Sequence, residues 1–231
     1  MNNNKILAII PARGGSKGIK NKNIIPLNKE PLIYYTIKEA LKVKNITDLI
    51  VSTDSEEISR ISIELGASVP FLRPDNLASD SAKTIDVVIH SIEHMRKLGK
   101  NYDYVVILQP TQPLRRSWHI DEAIELIISK KETSLVSVSK VKEHPILIRK
   151  IDDNGYVRNL LNESSNKRRQ EFENFYKVNG AIYINKVDEN LTKDTSLNDN
   201  KLAYIMDEKY DIDIDEPNDL YLAEIMLNNI E

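Results

Sequence analysis

The sequence predicts an α/β fold, a mostly parallel twisted sheet flanked by helices, and three observations carry that prediction. Short apolar runs alternate with segments of helical periodicity along most of the 231 residues. The runs are continuous rather than alternating, the pattern of strands buried on both faces. The rhythm breaks once, in a polar stretch at 144–177 that reads as an insertion within a single domain spanning 1–231.

In order, residues 6–10 read as a buried strand ended by Pro11. Residues 31–44 carry helical periodicity, with Leu32, Tyr35, Ile37 and Leu41 near one face and Pro31 in the first turn. Residues 49–53 form a second strand, and Ser55-Glu56-Glu57 opens a helix that Gly66 stops. A short strand follows at 68–72, a helix at 84–98 with Gly99 beyond its end, and a buried strand at 103–108. A helix at 117–131 takes Ser117 as its cap, and 134–141 is a strand. In the insertion, Asp152-Asp153-Asn154-Gly155 is a hairpin-type turn, followed by SSNKRRQEFENF; together they suggest a β-hairpin and an arm, for a partner chain or a lid. Strands resume at 180–185 and 203–206, and a helix runs from 216 to 229.

Composition narrows the function. Hydrophobic residues make up 41% of the chain, enough for a sizeable core, and the net charge of −3 offers no basic field for nucleic acid or an anionic membrane. With no cysteine there are no disulfides, no thiol catalysis and no cysteine-ligated metal, which fits a reducing compartment. The first apolar run is too short for a signal peptide, and no run approaches the length of a membrane span. The expectation is a cytoplasmic protein that binds neither nucleic acid nor membrane.

Residues 9–23, IIPARGGSKGIKNKN, hold three of the chain's seven glycines together with Arg13, Lys17, Lys20 and Lys22. The loop after the first strand of such a sheet is the usual phosphate site, where glycines let backbone N–H groups approach and cations supply charge. Neither GxxxxGK[ST] nor GxGxxG fits, so this is a phosphate-type loop of another kind or a solvated basic turn.

Residues 210–220, YDIDIDEPNDL, form the second constellation. Strand alternation puts Asp211, Asp213 and Asp215 on one face and Ile212 and Ile214 on the other. Three carboxylates on one face repel one another without a cation, and hard oxygen ligands suit Mg²⁺; the alternative is an exposed edge strand. An Asp-X-Asp pair also occurs in aspartyl-phosphate phosphatases. There it follows the first strand, with a Thr or Val two residues beyond, whereas DIDEP here is C-terminal. FLRPDNLASDSAKT (71–84) and ILQPTQPLR (107–115) each follow a strand, which brings Arg73, Ser79, Asp80, Ser81, Gln109, Thr111 and Arg115 to the same edge of the sheet. Ordinary turn chemistry would cover each alone; one site gathers them all.

IIPARGGSKGIKNKN, VSTDSEEI, FLRPDNLASDSA, LQPTQPLR, VNGAIYIN and DIDIDEPNDL, in that order and spacing, resemble the acylneuraminate cytidylyltransferases, the CMP-sialic acid synthetases and their legionaminate and pseudaminate relatives. The resemblance runs from Ile6 to the final helix. It implies a nucleotide-diphospho-sugar transferase-like, Rossmann-like fold, a homodimer, and Mg²⁺-dependent condensation of CTP with a nine-carbon 2-keto sugar acid, Mn²⁺ being a substitute. It implies that Ala12, Arg13, Gly15, Ser16 and Lys17 hold the triphosphate, Lys17 steadying charge on the α-phosphate and leaving pyrophosphate. Asn23, Arg73, Ala82 and Thr84 would lie near the cytidine. Gln109, Thr111, Arg115, Lys177, Asn179 and Tyr183 would serve the sugar side, and Arg169 would reach it from the dimer arm. Asp213 and Asp215 match the metal pair; Asp211 has no family role. Arg13, Lys17, Asp213 and Asp215 are the catalytic candidates.

Two departures touch the sugar end. Ile146-Leu147-Ile148 follows His144-Pro145 where some sialic acid enzymes carry a lysine, and Lys177 stands where arginine is frequent. They leave a legionaminate-type acid at least as well matched as N-acetylneuraminate. Competing readings are a nucleotidyltransferase using another nucleotide with a sugar 1-phosphate, and a catalytically silent nucleotide-binding scaffold.

Overall fold

The computed structural model describes residues 4–16, 18–161, 166 and 172–230. Strand β1 (Ile6–Pro11) is buried along almost its whole length. A ribbon of β2 (Pro26–Leu27) and β3 (Glu30–Pro31) turns on Asn28 and Lys29 at φ 48° and 71°, the left-handed pair of a two-residue hairpin. That ribbon draws Pro31 into extended backbone rather than the first helical turn, so α1 (Leu32–Ala40) begins one residue later. β4 (Asp48–Ser52) and α2 (Glu56–Glu64) follow, Ser55 capping α2 by accepting the Ile58 N–H at 3.3 Å. The strand expected at 68–72 is only two isolated bridges, Ile50 to Ser68 and Thr53 to Leu72. Pro70 between them has no N–H with which to continue a ladder.

α3 (Thr84–Lys97), β5 (Tyr104–Ile107), α4 (Ser117–Lys130) and β6 (Ser134–Lys140) continue the rhythm. Ser117 is the first helical residue of α4 and not its cap, a position taken by Arg116. Glu39 of α1 supplies the reason: its carboxylate accepts the Ser117 N–H at 2.8 Å, an anion at the positive end of a helix. The insertion contains the expected hairpin, β7 (Arg149–Ile151) against β8 (Val157–Asn159). Its turn has Gly155 at φ 82°, and Asp152 accepts from the Asn154 and Tyr156 N–H groups. The expected arm falls largely on 162–165 and 167–171, outside the described residues. β9 (Tyr176–Lys186), β10 (Leu202–Met206) and α5 (Pro217–Asn229) follow.

The main sheet has six strands in the order β10-β6-β9-β5-β1-β4. Its pairs are parallel except at β9, which is antiparallel to both β5 and β6. One apolar cluster packs α1, α2 and α4 against the sheet through Ile33, Ile58, Ile120 and Ile124. A second packs α3 on the opposite face through Val88, Ile92 and Met95. A third, with Leu27, Leu114, Ile214 and Leu227, seats α5 against the ribbon. Among the described residues no helix is long and apolar enough to cross a membrane.

The sheet carries one irregularity. Val136 faces Tyr183 but Val138 faces Val178, so β9 must absorb extra residues, and it does so through a kink at Gly180 (φ 77°). Arg115 secures that kink. It lies inside the protein, only 1% exposed, and not at the sheet edge where the sequence suggested. Its guanidinium donates to the Ala181 carbonyl at 2.7 Å, the Gln109 carbonyl at 3.2 Å and Thr36 Oγ1 at 2.7 Å. The bent backbone turns the Ala181 carbonyl inward, and a branched donor satisfies it together with the buried Gln109 carbonyl and Thr36 hydroxyl. Burial brings the guanidinium down to about 9, with Glu39 opposing, so it remains a cation at neutral pH.

Arg115→Leu fills the space but strands those oxygens, and should cost about 3–5 kcal/mol, a drop in Tm on the order of 10 °C. Denaturant titration checks this, and a loss below about 1 kcal/mol would show that the kink holds without its donor.

Candidate functional site

β1, β4 and β5 are parallel, so the loops that follow them leave from one edge of the sheet. These loops and the segment before α5 enclose a cavity of about 600 Å³. The first loop is pinned on both sides. Ala12 donates its N–H to the Ser52 carbonyl at 2.9 Å, Gly14 donates its own to Asp54 Oδ1 at 2.9 Å, and buried Asn23 donates Nδ2–H to the Arg13 carbonyl at 2.9 Å. Arg13 and Ser16 are thereby presented to the cavity. Of the three loop glycines, Gly18 is sterically fixed: a Cβ there would stand 2.6 Å from the Asp215 carbonyl oxygen. Gly15 has open space around it. Lys17 lies outside the described residues.

That backbone contact joins the two ends of the chain. Residues 211–215 run extended, with Ile212 and Ile214 buried, but they join no sheet; Ile214 donates only to the Thr111 carbonyl, at 3.0 Å. The three aspartates also part company. Asp211 pairs with Lys177 at 3.0 Å, whereas Asp213 and Asp215 line the cavity. Asp219, on the first turn of α5, fixes the Asp215 backbone by accepting the N–H groups of Asp215 at 2.9 Å and Glu216 at 2.8 Å. Lys22 Nζ reaches Asp215 Oδ1 at 2.9 Å, and Arg13 Nη1 meets Asp80 Oδ1 at 2.9 Å across the cavity mouth.

Asp213 stays open to solvent, yet the surrounding wall withdraws its carboxyl from water and holds it above the usual carboxylate range. A hydrogen bond with Thr111 and the charge of Lys22 pull it down, while Asp215 and Asp219 push it up. Arg73 is largely buried in the cavity wall, donating Nε–H to Ser52 Oγ at 3.2 Å and further N–H groups to the carbonyls of Ser52 and Leu77. Burial, opposed by Asp54 and reinforced by Arg13, brings it down to about 10. Asn23, Ala82, Thr84, Gln109 and Thr111 line the same cavity.

A second cavity of about 440 Å³ shares Thr84 and Gln109 with the first and is walled by Tyr183, Lys193 and Asn198. Tyr183 donates its hydroxyl to Asn198 Oδ1 at 3.0 Å, and burial, then Asp213, raises its phenol above the ordinary value. Gln109 takes its place from the kink: a Cβ on Gly180 would fall 2.6 Å from Gln109 Oε1. Gln112 closes the arrangement by donating Nε2–H to the Asn179 carbonyl at 2.5 Å.

Three residues assigned to the sugar side are elsewhere. Arg115 lies beneath the floor, as described. Asn179 is 4% exposed, its amide engaged with Ser137, Ser139 and the Ala181 N–H, because the kinked backbone needs those partners. Lys177 turns to Asp211, outside both cavities. Arg169 lies outside the described residues. Sequence reasoning gave no role to Lys22, Gly18, Asp219 or Asn198. Lys22 was visible as part of the basic loop and Asp219 as an acid in a helical first turn; the loop holding Asn198 carries no motif.

Among the described residues no set of three or more acidic or histidine side chains is grouped to hold a metal unaided. Asp213 and Asp215 nevertheless fit Mg²⁺, which keeps several waters and takes one or two carboxylates together with phosphate oxygens.

An N-acylneuraminate cytidylyltransferase of Streptococcus agalactiae is 36% identical over 217 residues, 93% of this chain and 51% of that protein. The chain thus spans about half the length of several curated relatives it matches. A CMP-N,N'-diacetyllegionaminic acid synthase of Legionella pneumophila is 35% identical over 227 residues, 96% of each chain. A CMP:2-keto-3-deoxy-manno-octonic acid synthetase solved with CTP shares the fold at a TM-score of 0.73 and 14% identity, over 98% of this chain and all of that one. The family model for cytidylyltransferases matches residues 7–229, and on that match the chain belongs to the cytidylyltransferase family.

Proposed function

We propose that this chain transfers the cytidylyl group of CTP to a nine-carbon 2-keto sugar acid of the sialic or legionaminic type and releases pyrophosphate. One observation carries the reading: a basic loop and a carboxylate pair share one cavity, and Gln109 and Thr84 lead from it into a second. The first cavity suits a nucleoside triphosphate and the second a polyhydroxylated acid, with Tyr183, Asn198 and Lys193 as its polar walls. Most of the sequence-assigned residues at the nucleotide end line the first cavity. The names of the curated relatives support the substrate class.

The nucleophile in this reading is the anomeric hydroxyl of the sugar, attacking the α-phosphorus in line. Positioning and charge neutralisation then supply most of the rate. Arg13 and Lys17 would bind phosphate oxygens, and Lys22, already beside Asp215, would neutralise charge on the same side. Asn23, Arg73, Ala82 and Thr84 would orient the nucleoside. Asp213 and Asp215 would hold Mg²⁺, which when bound screens the phosphates. Asp213 would also serve as the acceptor of the hydroxyl proton.

The insertion supports a homodimer. Ile151, Tyr156 and Val157 on the hairpin are 75%, 66% and 63% exposed, and Leu147, Ile148 and Tyr176 beside it are exposed as well. An apolar patch of this kind marks an interface. The absence of cysteine supports a cytoplasmic setting.

Pyrophosphate release should be measured with each nucleoside triphosphate in turn and with N-acetylneuraminate, di-N-acetyllegionaminate and pseudaminate. Release confined to CTP and one or more of these acids is expected, and silence with all three would end the reading. Asp213→Asn should lower kcat by roughly 10²–10⁴ with CTP still bound, and full turnover would remove its role as base. Gly180→Ala should raise KM for the sugar roughly 10- to 100-fold by displacing Gln109, while CTP affinity holds; a loss confined to CTP would mean that Gln109 serves the other cavity. Ile151 and Val157 pair across the hairpin, so Ile151→Asp with Val157→Asp should give a monomer in sedimentation; an unchanged mass would place any interface elsewhere.

A further inference from the structure

Three described cations line the main cavity, and each already holds an oxygen partner. Arg73 is fixed to Ser52 and Leu77 within the fold. Lys22 holds Asp215, a carboxylate that the bound state would keep in use. Arg13 is different. Its partner Asp80 sits on an exposed turn in the cavity wall, with the two side chains 32% and 47% exposed. Among the described residues that turn is closed by the Ala82 N–H on the Ser79 carbonyl at 3.2 Å, the Ser79 hydroxyl on the Asn76 carbonyl at 3.4 Å and a contact between the Ser79 and Ser81 hydroxyls at 3.2 Å.

We propose that Asp80 is an internal stand-in for phosphate: its carboxylate occupies Arg13 in the empty cavity, competes with the incoming triphosphate, and so sets nucleotide and pyrophosphate affinity. The proposal rests on the reading that this cavity takes a nucleoside triphosphate. Asp80 Oδ1 lies 2.9 Å from Arg13 Nη1, where a phosphate oxygen would lie in a charge-assisted hydrogen bond. An ion pair so open to water is weak, so a polyanion can displace it. After displacement the carboxylate stays in the wall, facing phosphates of its own sign. Both effects weaken polyphosphate binding. The cleft therefore grips the triphosphate moderately and lets pyrophosphate leave, which favours turnover over tight ground-state binding.

The sign of the effect separates this role from a structural one. If Asp80 merely held Arg13 in position, or helped to bind the cation, removing its charge would loosen the ligand. If it competes, removing the charge tightens it. Calorimetric titration of Mg²⁺–CTP and of Mg²⁺–pyrophosphate into wild type, Asp80→Asn, Asp80→Ser and Asp80→Glu reads this directly. Both neutral variants should bind both probes roughly three- to tenfold more tightly, with Asp80→Glu within about twofold of wild type. The pyrophosphate inhibition constant should fall by the same factor in the turnover assay. Equal or weaker binding by the neutral variants overturns the proposal. A wild type that takes pyrophosphate but not CTP would remove the nucleotide reading alone, since the pyrophosphate series still decides what Asp80 does.

Discussion

The buried guanidinium of Arg115 is the interaction on which the rest of this structure depends. It stands on the turn after β5 and reaches three oxygens belonging to that turn, to α1 and to β9. A charge buried without a carboxylate partner is expensive, and it persists where inward-facing oxygens would otherwise go unmet. Here the Ala181 carbonyl belongs to the kink that lets an antiparallel β9 pass between β5 and β6, and the Gln109 carbonyl and Thr36 hydroxyl tie that kink to the β5 turn and to α1. The kink gives the glycine at 180, the glycine gives room for Gln109, and Gln109 stands where the two cavities meet. A backbone irregularity therefore sets a side-chain position in the site, and a buried cation holds the irregularity in place.

The cavity mouth follows a different logic. Its charges are closely opposed and already paired, Arg13 with Asp80 and Lys22 with Asp215, in a chain whose net charge is only −3. Pairing keeps exposed cations from repelling one another while the cavity is empty. It also means that a polyanion enters by exchanging partners rather than by filling vacant cations. If a phosphate took Lys22 while a cation took Asp215, as the proposed function requires, the exchange there would be nearly neutral. At Asp80 it leaves a carboxylate facing phosphates.

The fold was largely legible because buried parallel strands announce themselves as unbroken apolar runs, and helices between them as a 3.6-residue period. β1, β4, β5 and β6 fall within a residue or two of their expected places. The errors have local causes. Pro70 interrupts the ladder expected at 68–72, and Glu39, distant in sequence, accepts the N–H of Ser117, the first residue of α4, a contact that the serine's cap-like side chain does not reveal. Asp211, Asp213 and Asp215 alternate as a strand would, but without a neighbouring strand their directions depend on Lys177 and Thr111, which no pattern reveals. Arg13, Ser16, Asn23, Ala82 and Thr84 come together around one cavity because strand ends fix loop positions. At the sugar end, Arg115 and Asn179 were misplaced because polar residues near a site edge and polar residues serving a buried kink look alike in sequence.

β9 also joins the site to the insertion. The strand begins at Tyr176, in the last residues of the 144–177 stretch, and its first residues pair with β6 before the kink, Tyr176 opposite Lys140 and Lys177 opposite Ser139. The same strand then forms the cavity wall at Tyr183. Between the hairpin end of the strand and the cavity wall, the kink at Gly180 is held by Arg115, Gln112 and the Asn179 amide together. An interface formed by the hairpin would act on the second cavity by contributing residues at its rim rather than through Tyr183 or Gln109, which stand beyond the kink. A wall contributed by a second copy would come from outside this sheet.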